Sequence, residues 1–152
     1  MKKLMTLLLV LGVTGICMAQ NGDPVSWSFS AKKIADKTYE VHLTATIASP
    51  WHMYSQSSPD GGPLPTKIEF AKNPLATLDG KTKEVGKMET KFEDVFGVNV
   101  KQYGGKVDFV QVVKLKSNVK TNISGSVEFM ACDESQCLPP KTVPFSIALG
   151  GK

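Results

Sequence analysis

The chain has 152 residues, 41% of them hydrophobic, with eighteen basic and fourteen acidic side chains and a formal net charge of +4. Every basic residue is a lysine. Without arginine the chain lacks bidentate forks for phosphates or base edges, and so modest a charge makes no field for nucleic acid.

The opening "MKKLMTLLLVLGVTGICMAQ" runs from two lysines through an apolar stretch of about ten residues to a small-residue end. That is the anatomy of a secretory signal, with cleavage expected after Ala19. The apolar stretch is shorter than the ~18 to 20 residues of a spanning helix, so no stable membrane insertion is expected. Cys17 follows Ile16, where lipid modification wants a small residue, and is expected to leave with the signal. Residues 20–152 then form one predicted domain, long enough for a hydrophobic core and too short for two domains. With Lys2 and Lys3 gone, sixteen lysines face fourteen carboxylates, a net charge of about +2. An exported chain meets an oxidising compartment in which disulfides persist.

Alternation of apolar and polar residues predicts strands at Val25–Ser30 and at Thr38–Ala48, where Tyr39, Val41, Leu43, Ala45 and Ile47 share one face. The same pattern recurs at Thr66–Phe70, Lys106–Lys116, Asn122–Cys132 and Lys141–Leu149. Turn clusters such as "SSPDGGPLP" and "LDGK" punctuate the runs, and no long segment has a helical period. The expected fold is all-β, an antiparallel sandwich. Pro144 marks the last run as an edge strand or a bulged one. Ser55 to Pro65 is expected to be a surface loop.

In "FMACDESQCLPPKTVPF" two cysteines, Cys132 and Cys137, flank "DESQ", which predicts a hairpin connection with the two sulfurs facing across its mouth. The pair is either a staple or a redox switch. In the chain-entropy model so short a loop stabilises by only ~2 kcal/mol. A local bridge is therefore a poor way to hold a sandwich together, although exported domains use disulfides freely. A zinc site fits badly, since the spacing matches no usual finger and His42 lies mid-strand; no metal is expected. Asp133 and Glu134 would raise a neighbouring thiol's pKa, and no helix N-terminus is in prospect to lower it.

"CDESQCLPPKTVPFSI", with "ASPWHMYSQ" (Ala48–Gln56) and "KFEDVFG" (Lys91–Gly97), resembles the N-terminal periplasmic domain of the bacterial thiol:disulfide interchange protein DsbD, in the same order over nearly all of the chain after the signal. The resemblance implies an immunoglobulin-like sandwich in the periplasm. It implies a cysteine pair that takes electrons from a membrane donor and passes them to thioredoxin-fold periplasmic proteins, with no cofactor. Carried over by position, Cys137 would form mixed disulfides and Cys132 would resolve them. Phe96, with Asp94 and Glu93 beside it, would cap the sulfurs and swing aside when a partner docks. Tyr54 and His52 would line the site, His52 standing where a tyrosine is found in better-known relatives. The likened domains have one more residue between the cysteines. Larger relatives continue into a membrane-embedded domain and a thioredoxin-like domain, so a separate electron donor is expected.

The residues agree with a cap, because "FEDVFG" sets apolar side chains in a charged stretch bounded by Gly97. Phe92 is expected in the core and Phe96 in the lid. Trp51 and Met53 would fill the core at period two, leaving His52 and Tyr54 on the other face, where His52 reads as a surface histidine. Two rival functions stay open at this point. One is a non-catalytic sandwich module with a structural disulfide, gripping a ligand with "PWHMY"; the other is a copper carrier using Cys, Met53 and His52.

Overall fold

The computed structural model describes residues 22–150; the expected signal segment with Cys17 and the expected cleavage after Ala19 lie outside them. Among these residues nine strands run in chain order: β1 (Val25–Ala35), β2 (Thr38–Ile47), β3 (His52–Tyr54), β4 (Lys67–Phe70), β5 (Ala76–Glu93), β6 (Val98–Leu115), β7 (Thr121–Phe129), β8 (Ala131–Cys132) and β9 (Lys141–Leu149). A larger sheet has the order β1-β2-β6-β3-β8 with β5 on β6, and a second sheet has the order β4-β7-β9, every pairing antiparallel.

The core lies between the sheets. Along β2 the period-two pattern sends Tyr39, Val41, Leu43, Ala45 and Ile47 inward, where they meet Val107, Phe109 and Val113 of β6 and Val127, Phe129, Phe145 and Ile147 of the smaller sheet. Trp27 packs against Phe109 and Phe129 in tilted arrangements, at ring separations of 5.9 and 5.4 Å. Fully burying side chains of this size contributes about 1.5–3 kcal/mol each, so this cluster dominates the stability of the sandwich.

Five of the predicted strands hold, and β9 is an edge strand, which gives Pro144 its place. The sixth, Asn122–Cys132, breaks at Met130. Phe129 ends β7 in one sheet, and Ala131 begins β8 in the other. Three pieces escaped the sequence pattern: β5, the first half of β6, and β3. β5 is mostly exposed and "LDGK", expected as a turn, is an irregularity inside it between Asp79 and Lys83. An edge strand with little to bury carries no apolar period to read. The Ser55–Pro65 segment is a loop, but Ser55, Ser58 and Pro63 are buried in it.

Strand β6 positions everything that follows. One edge takes β2 from Gly105 to Lys114 and then β3 at Gln102 and Tyr103, while the other edge takes β5 along its whole length. The β5–β6 hairpin therefore runs past the end of the core, and its tip, residues 94–97, stands beside β3 and β8.

Candidate active site

Strand alternation splits β3 and β8 between two faces. Met53 and Ala131 point into the main core, whereas Tyr54 and Cys132 join Val100 in a separate small cluster on the opposite face. His52 pairs in register with Cys132 and so lies beside it on that face. This side chain is only 6% exposed, which corrects the expectation of a surface histidine: β3 is flanked by β6 and β8 on both edges, and its outer face is covered by the hairpin tip.

Cys132 and Cys137 form a disulfide with Cα atoms 4.0 Å apart. Asp133 N donates to Gln136 O and Leu138 N donates to Ala131 O, so the cysteines occupy the non-hydrogen-bonded pair between these two bonds, the position at which facing side chains come closest. The hairpin expected here is a single bridge rather than two strands. Pro139 and Pro140 follow at once, and proline has no N–H to continue a ladder towards β9. Cys132 is 2% exposed, while Cys137 is exposed on the turn.

The turn is held by Asp133, whose Oδ1 accepts from Ser135 N, Ser135 Oγ and Gln136 N at 2.7–2.8 Å. These bonds hold its carboxyl below the usual range. Its charge is thus spent within the turn. Glu134 points the other way and pairs with Lys91 Nζ at 3.1 and 3.0 Å. The sequence reading weighed the two acids against the thiols and missed this lysine. Lys91 sits opposite Val100 on the same face of the hairpin, which delivers its ammonium to the cysteine turn.

A cleft of about 260 Å³ is lined by both cysteines, His52, Tyr54, Lys91, Glu93, Phe96 and the turn residues. Six of the seven expected site residues meet there. Asp94 does not, being exposed in the turn at the hairpin tip. Val95, an apolar residue of the same "FEDVFG" stretch, also lines the cleft while remaining 88% exposed. The tip turns through Gly97, whose φ of +68° favours glycine, with Phe96 N and Gly97 N donating to Glu93 O. Phe96 lines the same cleft as the pair with 44% of its surface exposed; Phe92, expected in the core, is 53% exposed on the other face of the same arm. It shares a face with Asn99, beyond the end of the packed sheets.

His52 Nε2 and Tyr54 Oη share a hydrogen bond of 3.1 Å, the rings edge to face. Burial, with the nearby Lys91 charge, lowers the His52 pKa against the pull of Glu93, Glu134 and Asp133, so the imidazole is neutral at pH 7. Burial, together with Glu93 and Glu134, pushes the Tyr54 hydroxyl up to about 12. The cleft thus offers a neutral base and a neutral hydroxyl beside the buried sulfur. On the far side of the cysteine turn a wider cleft of about 820 Å³, lined by Trp51, Leu138 and Pro139, shares Gln136 but includes neither cysteine.

The family model for Thiol:disulfide interchange protein DsbD, N-terminal, matches residues 20–148. No curated protein matches the chain. Among solved structures it is similar to the N-terminal periplasmic domain of ScsB from Proteus mirabilis, with 17% identity and a TM-score of 0.58, over 86% of this chain and 47% of that one. The chain thus spans about half the length of that relative. It is also similar to the Neisseria meningitidis DsbD N-terminal domain in the reduced form, with 19% identity and a TM-score of 0.51, over 82% of this chain and 86% of that one. At such identities the likeness concerns the fold, an immunoglobulin-like β-sandwich. With a match that runs from Gln20 through the cysteine turn to Ala148, the chain belongs to the family of DsbD N-terminal domains.

Proposed function

We propose that this chain is an exported, periplasmic thiol-disulfide relay that cycles between the Cys132–Cys137 disulfide and the dithiol. The observation that carries the reading is the unequal burial of the two sulfur-bearing residues, Cys132 at 2% exposure and Cys137 exposed on the turn. In the reduced domain the Cys137 thiolate attacks a disulfide of the partner, forming a mixed disulfide and expelling one partner sulfur as a thiolate. Cys132 then attacks Cys137 Sγ, re-forming the internal bond and releasing the partner's second sulfur. Two electrons and two protons pass to the partner. A dithiol donor reverses the sequence and recharges the domain.

The neighbouring groups suit these steps. Neutral His52, in register with Cys132, accepts its proton as it becomes a nucleophile, and Tyr54 Oη holds the imidazole in place. Phe96 and Val95 keep water and stray thiols off the bond until a partner displaces the tip. Thioredoxin-fold proteins are the expected acceptors and a membrane protein the expected donor.

Replacing Cys132 with Ala should trap covalent complexes with partner proteins in the native host, and replacing Cys137 with Ala should abolish both trapping and exchange. The wild-type pair should have a reduction potential between about −270 and −120 mV, the range of thioredoxin-like exchange proteins. A potential below about −300 mV, with no complex trapped, would identify an inert staple in a binding module and end the relay reading.

A further inference from the structure

The lid arm and the cysteine turn meet through side chains 43 residues apart in sequence. Lys91 Nζ donates to both carboxylate oxygens of Glu134. Among the described residues, no other side-chain hydrogen bond joins the β5–β6 hairpin to residues 133–136. Burial does little to anchor the tip, with Val95 88% exposed and Phe96 44%. The backbone bonds to Glu93 O close the tip on itself and reach nothing beyond it. Asp133 is committed to its own turn, so Glu134 is the acid of "DESQ" free to reach across. Lys91 also has a second carboxylate within its strand, Glu93 at 3.8 Å.

We propose that the Lys91–Glu134 ion pair is a tether that holds the Phe96 lid over the cysteine pair, making Lys91 a positioning residue that governs how readily a reductant reaches Cys137. Its purpose rests on the relay reading; its operation does not. Release is cheap, because Lys91 can transfer to Glu93 on the same arm when the turn is pulled away, and the cation is never left alone. An exposed pair of this kind shifts an open–closed equilibrium by about two- to five-fold. That is enough to slow adventitious reduction and small enough for a docking partner to overcome.

The test uses the oxidised mature chain and a neutral phosphine, tris(hydroxypropyl)phosphine, which attacks a disulfide sulfur and, with one water, leaves two thiols and the phosphine oxide. Lys91→Met and Glu134→Gln should each speed reduction about two- to five-fold, although they change the local charge in opposite senses. The double variant should be no faster than either single one, and the charge-exchanged pair, Lys91→Glu with Glu134→Lys, should return to the wild-type rate. One molar salt should raise the wild-type rate towards that of the variants and leave theirs unchanged. Opposite shifts in the two single variants would reveal a mere field effect on the departing thiolate, and unchanged or additive rates would remove the tether. Failure of the relay reading would show elsewhere, as no partner trapped by Cys132→Ala while these phosphine rates behave as stated.

Discussion

The two faces of the larger sheet are built on opposite terms. On the inner face Val41, Leu43, Ala45, Val107, Phe109 and Val113 are all completely buried against the smaller sheet. On the outer face, the small cluster of Tyr54, Val100 and Cys132 borders a cleft that the hairpin tip also lines, with Val95 88% and Phe96 44% exposed there. The inner face therefore carries most of the burial, and the proposed chemistry falls on the outer one. On the relay reading, the disulfide in the second region would open and close apart from the packing that holds the first.

Variants that strike one face and spare the other sharpen this contrast. Phe109→Ala should have the largest effect, lowering unfolding free energy by about 3–5 kcal/mol in urea denaturation, while the phosphine reduction rate of the folded protein stays at the wild-type value. Removing the bond with the double variant Cys132→Ala and Cys137→Ala should cost only about 2 kcal/mol, since the closed loop is short, and should leave the circular dichroism spectrum unchanged. A loss as large as that of Phe109→Ala would mean that the disulfide is part of the structural frame after all.

His52 contributes a smaller, pH-dependent share. Its folded pKa lies below the ordinary histidine value of 6.5, so the unfolded chain binds the proton more readily than the folded one. The stability this group contributes is present above about pH 6.5 and is lost as pH falls through the depressed folded value. Urea midpoints compared between pH 7.5 and pH 5.5 should fall further for the wild type than for His52→Gln. Equal falls would take His52 out of the buried cluster. The smallest stability effect is expected for Phe96→Ala, within about 0.5 kcal/mol, because the ring is already 44% exposed; its phosphine reduction should nonetheless be several-fold faster. An unchanged rate would show that the ring does not cover the bond.

The sequence by itself determined the sandwich and the pairing logic of its core, because β2, the second half of β6, β7 and β9 each bury one face and repeat every second residue. It also determined that Cys132 and Cys137 can face each other, since so few residues separate them, and the quoted motifs brought His52, Tyr54, Glu93 and Phe96 to the same place. Only the tertiary structure decided which surfaces those residues see. β5 has no apolar period, so its existence, and with it the reach of the hairpin tip and the course of Lys91, depended on the neighbouring strand β6. His52 is buried and Phe92 is exposed for the same reason: burial at the end of a sheet is set by what lies across from it, and a neighbour some tens of residues away in sequence leaves no local signature.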